Sequence, residues 1–229
     1  MWCASAASRL FVSPVLSPSY RGMNTLPRYT DHDNDSRRVM MQDKDGRQIA
    51  RENEIRCLRA LHRFGWLRTR DFATLCWRRW PSKPSGPLDV GPVSPTASAI
   101  RMAQRTLCRL RDNRLVIRSK GPDGSVVYAL SEGGARTLSN AGIAAVSGKD
   151  LVRRYSSAYY RHRCISNEVA IAGIVQGFRA STEREISQGL WLGSEEGIVG
   201  KRPDVLLRSG MHVYWICQRR CNTDPLRTE

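Results

Sequence analysis

Residues 98–130 place the tightest constraint on the fold. Ile100, Ala103, Leu107 and Leu110 fall on one face of a helix beginning near Thr96 or Ser98, and Asn113 can end it. Arg101, Gln104, Arg105, Arg109 and Arg111 lie mostly on the other face. Two β-rich runs follow, Leu115–Lys120 and Ser125–Leu130, around the turn Gly121-Pro122-Asp123-Gly124. Such runs around a Gly/Asp turn predict a hairpin. Upstream, Ile49, Ile55, Leu58, Leu61 and Phe64 recur at near-helical spacing, and Gly65 is a good stop. Thr69 is an N-cap candidate with Asp71 in the following turn. A second short helix then turns Phe72, Leu75 and Cys76 inward and fades near Trp80-Pro81. Three helices followed by a hairpin is the order of a winged helix-turn-helix domain, expected over 47–140.

Between the second and third helices lies PSKPSGPLDVGPVSPT, residues 81–96, with five prolines and no helical period. It reads as a loop, long for a helix-turn-helix connection. Trp77 and Trp80 flank Arg78 and Arg79. One of these rings is expected to anchor the second helix in the core, the rival being a basic-aromatic surface. Residues 1–46 show no periodicity, and Pro14, Pro18, Pro27 and the cluster Asp31, Asp33, Asp35 predict disorder. Met23 is an alternative start. The first residues resemble a signal peptide only weakly, because Arg9 breaks the apolar stretch and no basic residue precedes it.

The remainder, 150–229, predicts a small α+β domain. A short helix starting at about Ser131 precedes it, and a longer one within it spans about 157–176. Strand candidates follow at 181–187, 202–208 and 211–218. The expected fold class is therefore α+β.

Charge narrows the function. The chain carries a formal charge of +16. Residues 49–130 contribute 16 Lys/Arg against 6 Asp/Glu. A local excess of that size, mostly Arg, favours a polyanion such as nucleic acid. In the third helix, Arg101, Gln104 and Arg105 occupy the turns that enter a major groove, where Arg pairs with guanine and Gln with adenine. Arg109 and Arg111 can meet the backbone, and Arg118 and Lys120 flank the hairpin turn as wing contacts. The rival reading is a solvated Arg-rich face, or a winged helix that binds only protein.

No apolar run approaches a membrane span. Seven cysteines form no CxxC pair, so a reducing cytoplasm without structural disulfides is expected. Cys57, Cys76 and Cys108 read as small apolar residues. Cys217 and Cys221 lack the further ligands a zinc site needs. Glu183, Glu185 and Asp204 stand beside strand candidates, and converging carboxylates with a Lys nearby would suit Mg²⁺-dependent cleavage. The strand Val213-Tyr-Trp-Ile-Cys-Gln-Arg-Arg supplies neither the Glu nor the Lys that would complete such a site. No metal, cofactor or catalytic residue is therefore assigned, and Asp204 reads best as a structural carboxylate.

The run RENEIRCLRALHRFGWLRTRDFATL, followed by AQRTLCRLRDNRLVIRS, VVYALSEGGARTL, YRHRCISNEVAIA, TEREIS and KRPDVLL, resembles the plasmid replication-relaxation family. The likeness covers about residues 50–225. It implies a winged helix joined to a degenerate nuclease-like domain of the PD-(D/E)xK type. It also implies an accessory role in plasmid or mobile-element replication, mobilisation or DNA relaxation, with a relaxase or replication protein as partner. Two departures stand out. Tyr-Trp-Ile-Cys-Gln-Arg-Arg replaces the acidic strand of many members, and the chain ends soon after it, so the last part of the domain can be truncated. The expectation is a non-enzymatic, double-stranded DNA-binding protein. The alternatives are a transcriptional repressor, a Mg²⁺-dependent nuclease and a protein interaction module. A homodimer is compatible with this, although no heptad seam demands one.

Overall fold

The computed structural model describes residues 10–16, 45–153, 156–190, 203–210 and 212–218. They form an α+β arrangement with two antiparallel sheets. The first unit in sequence runs α1 (Gly46–Phe64), β2 (Trp66–Arg68), α2 (Thr69–Cys76), α3 (Ala97–Asp112), β3 (Val116–Lys120), β4 (Val126–Leu130) and α4 (Glu132–Asn140). There follow α5 (Lys149–Arg153), α6 (Ser157–Val175), β5 (Arg179–Ser181), α7 (Glu183–Ser187), β6 (Val205–Ser209) and β7 (His212–Gln218). β1 (Leu10–Leu16) comes first in the chain.

Local chemistry sets the helix ends. Asp45 caps α1 by accepting from the Arg47 amide, and Gly65 ends it with φ at 81°, its N–H donating to the Leu61 carbonyl. Thr96 caps α3 by accepting from Ala99 N at 3.2 Å, and Asn113 closes it. Ser131 and Ser156 do the same for α4 and α6. Thr69 is not the cap of α2. Arg68 is, and the carboxylate of Asp71 accepts from its backbone N–H.

The three-stranded sheet has the order β2-β4-β3, with Arg118 opposite Tyr128 and Lys120 opposite Val126. One face carries Leu67, Val116, Tyr128 and Leu130 into the main core. There they meet Cys57, Leu58, Leu61 and Phe64 of α1, Phe72 of α2, and Ala103, Leu107 and Leu110 of α3. The same core continues into Val169, Ala170, Ile171 and Ile174 of α6, Leu207 of β6 and Ile216 of β7. The other face of the sheet is covered too. Trp66, Val127 and Ala129 pack with Val152 of α5 and with Tyr160 and Cys164 of α6. A sheet buried on both faces explains why β2 has no exposed residue.

An ionic triad built on the buried pair Arg68 and Asp71 joins the two halves. Arg68 is 8% exposed and grips both oxygens of Asp71, at 3.0 Å each, and Glu168 of α6 at 2.8 Å. Burial works against charging Arg68, and Asp71 more than offsets it, so the guanidinium is held well above its ordinary value.

The proline-rich segment is docked. Trp77, Leu88, Val90 and Val93 pack against the main core, so Trp77 fills the anchoring role and Trp80 stays exposed. The Gln176 side chain pairs with the backbone of Asp89, accepting from its N–H at 2.9 Å and donating to its carbonyl. A Cβ on Gly177 would lie within 2.8 Å of Lys83 and Pro81 backbone atoms, so the loop crosses the end of α6 in direct contact.

Two expectations are corrected. The segment 181–187 is a strand only to Ser181. Thr182 and Glu185 then form a capping box that starts α7, because Thr-x-x-Glu satisfies the free amides of a helix start. Disorder throughout 1–46 is also wrong. β1 pairs with β7 along its whole length, from Leu10 opposite Gln218 to Leu16 opposite His212. β1 is the edge of the order β1-β7-β6-β5, the position that tolerates Pro14. Residues 1–9 and 17–44 lie outside the described residues, as does Met23, and initiation there would remove β1. No helix among the described residues is long and apolar enough to cross a membrane.

Candidate nucleic-acid interface

α3 buries Ala99, Ala103, Thr106, Leu107 and Leu110. That leaves Arg101, Gln104, Arg105 and Cys108 exposed at spacings of three, four and seven, one stripe of a helix. With Arg109 they line a single open depression. Among the described residues, no carboxylate pairs with Arg101 or Arg105. The two later arginines differ. Arg109 reaches Glu54 of α1 at 2.9 Å, and Arg111 reaches its neighbour Asp112 at 2.8 Å. Exposed pairs of this kind contribute little because water and salt screen them, so a phosphate can compete for them.

Residues on a strand alternate between faces, so Arg118 and Lys120 share the face of Val116. Val116 packs into the main core with the helices. Tyr128, opposite Arg118, meets Phe72 of α2 edge to face at 6.3 Å. Arg118 and Lys120 therefore emerge on the helix side of the sheet, and both are exposed. Ser119 points the other way, donating to the Val152 carbonyl of α5 at 3.2 Å. All seven predicted DNA-contact residues are thus exposed, five on α3 and two on the sheet face turned toward the helices.

The turn between β3 and β4 is tied to α6. Tyr160 stacks on Trp66, with ring centroids 5.2 Å apart and 1° between planes. Its hydroxyl donates to Asp123 Oδ1 at 2.8 Å and shares a 2.5 Å hydrogen bond with Ser125. Gly121 is required beneath it, because a Cβ there would stand 2.7 Å from the Tyr160 ring. Burial pushes the Tyr160 phenol up. Burial also pushes the Asp123 carboxyl up, but hydrogen bonds from Ser125 and Tyr160 outweigh it and hold the carboxyl below its ordinary value.

Of the three carboxylates singled out as metal candidates, Glu183 and Asp204 meet at His162, and Glu185 turns away. Asp204 Oδ1 lies 3.2 Å from His162 Nε2, and Glu183 Oε2 lies 3.7 Å from it and 2.8 Å from Arg163. Glu185 turns to Arg63, at 2.7 and 3.3 Å, and to the amide of Thr182. Among the described residues no group of three His, Cys, Asp or Glu is placed to hold a metal ion. The hydrogen bond to Asp204 raises His162 above its ordinary value, against the effect of burial. Sequence reasoning missed His162 and Arg163. Their only signal was position: they stand on a helix that is buried on most sides.

Cys57 and Cys76 are buried thiols, as their pattern suggested, whereas Cys108 is exposed on the α3 stripe. Its place follows from the helical period, three and four residues beyond Arg105 and Gln104. Cys217 is half-buried, and Cys221 lies outside the described residues. No family model matches the chain, and no curated protein or solved structure is significantly similar to it.

Proposed function

We propose that this protein binds double-stranded DNA as a winged helix-turn-helix, with α3 in the major groove and the β3–β4 hairpin as the wing. The observation that carries the reading is the pair Arg101 and Arg105. Both are exposed without a carboxylate partner among the described residues, on the side of the sheet from which Arg118 and Lys120 also emerge. The element order supports it: helix, strand, two helices and a hairpin, with β2 completing the sheet beside β4. The wing is the β3 strand rather than a free tip, because Tyr160 holds the turn against α6.

In this reading Arg101, Gln104 and Arg105 meet base edges, while Arg109, Arg111, Arg118 and Lys120 meet phosphates. Releasing counterions from the phosphates makes binding fall steeply with salt. The protein acts in the cytoplasm without a cofactor. It serves plasmid or mobile-element replication, mobilisation or relaxation, as its resemblance to the plasmid replication-relaxation family implies. The C-terminal part, read as a degenerate nuclease-like domain, carries no metal-dependent step in this reading, because Glu185 is engaged by Arg63 and by its own helix start. Its role is to brace the reader and to meet a relaxase, a replication protein or a second copy of the chain.

The test is fluorescence anisotropy with a labelled duplex of about 30 base pairs over a salt series. The wild type is compared with Arg101→Ala/Arg105→Ala. The expected loss is about 2 kcal/mol or more, the scale of one or two good base contacts. Equal binding by the double variant, or wild-type binding no tighter than that of an unrelated basic protein, would replace this reading with a protein interaction module.

A further inference from the structure

A second cationic site lies away from the α3 stripe, where the C-terminal end of α1 meets α6 and α7. Three of its cations have acidic partners: Arg63 holds Glu185, Arg163 contacts Glu183, and His162 faces Asp204. Arg184 has none among the described residues. It is half-buried, and its Nε atom is buried without a hydrogen-bond partner. Burial and the neighbouring Arg163 both work against its charge. His62, whose Nδ1 is also buried and unpartnered, is depressed first by burial and then by Arg184. Arg163 is 3% exposed, donates to the Phe64 carbonyl at 2.6 Å, and leaves its Nε unsatisfied.

Arg184 and Arg163 meet at Gly65, beside Leu151. A Cβ there would stand 3.2 Å from Arg184 Nη1 and 3.3 Å from Arg163 Nη2, so two guanidiniums crowd one backbone position. Buried polar groups without partners call for a water or an ion. A water would satisfy the donors but not the charge. A half-buried guanidinium beside another guanidinium is costly unless a negative charge joins them. Glu183 also leaves Oε2 without a well-formed hydrogen bond, but its charge already faces Arg163 and His162.

We propose that Arg184, with Arg163 and His62, binds a phosphate-bearing anion at this position. Guanidinium forks match phosphate oxygens, and the anion would supply the charge that Arg184 lacks. The site does not depend on the DNA-binding reading, since a small phosphorylated ligand and a DNA backbone phosphate present the same chemistry.

The test is calorimetric titration and thermal unfolding of the full chain in potassium phosphate against potassium chloride at matched ionic strength. The wild type should bind phosphate saturably and unfold at a higher temperature in it. Arg184→Met should lose both effects and, in chloride, unfold no earlier than the wild type. Arg101→Ala/Arg105→Ala should keep both. Phosphate stabilisation that is absent, or equal in Arg184→Met, overturns the site. So does a fall in the unfolding midpoint of Arg184→Met in chloride, because Arg184 would then already be compensated within the protein. Duplex binding identifies the source. Weaker binding by Arg184→Met points to a backbone phosphate, and unchanged binding with phosphate uptake intact in the wild type points to a small ligand.

Discussion

Arg56, Arg63 and Arg68 look like Arg101 and Arg105 in sequence but not in the folded protein. Arg56 donates to the Cys76 carbonyl, Arg63 to Glu185 and the Ala180 carbonyl, and Arg68 to Asp71 and Glu168. Each ties one element to another. Arg101 and Arg105 tie nothing among the described residues. A positive charge with a built-in partner serves the fold, and one without remains open to an external anion. Charge counting alone cannot separate the two groups, whereas the partner of each guanidinium can.

The sharpest way to break this contrast is to exchange the expected phenotypes. Arg68→Ala removes the cation that Asp71, 3% exposed, depends on. Loss of one member of a buried pair costs about 3–5 kcal/mol, to be read by urea unfolding. Arg101→Ala/Arg105→Ala should change stability by less than about 0.5 kcal/mol while weakening DNA binding. A stable Arg68→Ala, or an unstable α3 variant, would abolish the distinction.

A chemical probe sharpens it. Cys108 is exposed on the α3 stripe, while Cys57, Cys76 and Cys164 are buried. A bulky maleimide should reduce duplex affinity at least about tenfold, or ~1.4 kcal/mol, and Cys108→Ser should be immune. Bound duplex should slow the labelling. A reacted protein that binds normally would move the interface off this stripe.

A smaller effect is expected at the turn. Tyr160→Phe keeps the ring on Trp66 but removes the hydroxyl shared by Asp123 and Ser125. The cost should be about 1 kcal/mol, with faster hydrogen exchange at the Gly121 and Gly124 amides. Unchanged exchange there would mean the turn holds itself.

The smallest effect concerns pH. His162 is raised by its hydrogen bond to Asp204, so the folded state holds this proton more tightly than the unfolded chain. Its contribution is complete below about pH 6.5, the unfolded value, and fades as pH rises through the folded one. His62 is depressed by burial, so its contribution has the opposite sign: present above the unfolded value and lost as pH falls. His162→Gln should therefore flatten the alkaline side of the stability profile by no more than about 1 kcal/mol. That flattening comes from stability lost below about pH 6.5, so a loss no larger at acid than at alkaline pH would contradict the Asp204 pairing.

Much of this arrangement is legible in the chain because it is local. Gly65, Thr96, Asn113 and the turn at 121–124 mark ends through their own backbone chemistry, and the α3 stripe follows from a 3.6-residue period. α7 was legible too, through Thr182 and Glu185, but a β-like reading of the segment hid the capping box. The misses are long-range. Nothing near Asp89 announces that Gln176 will clamp it, and nothing near Leu10 announces β7. Arg68, Arg163 and Arg184 read as surface charge until the helices that bury them are in place.

The pairing of β1 with β7 has a consequence for synthesis. About 196 residues separate Leu16 from its partner His212. At about 5–20 residues per second, β1 waits roughly 10–40 s for β7 to leave the ribosome. For that time Leu10-Phe11-Val12-Ser13-Pro14-Val15-Leu16 is an apolar ribbon with no partner strand. Pro14, which cannot donate to a ladder, interrupts the surface on which a neighbouring nascent chain would add. The nascent protein therefore has an early-exposed, late-satisfied segment, the kind of stretch a chaperone would hold until β7 emerges.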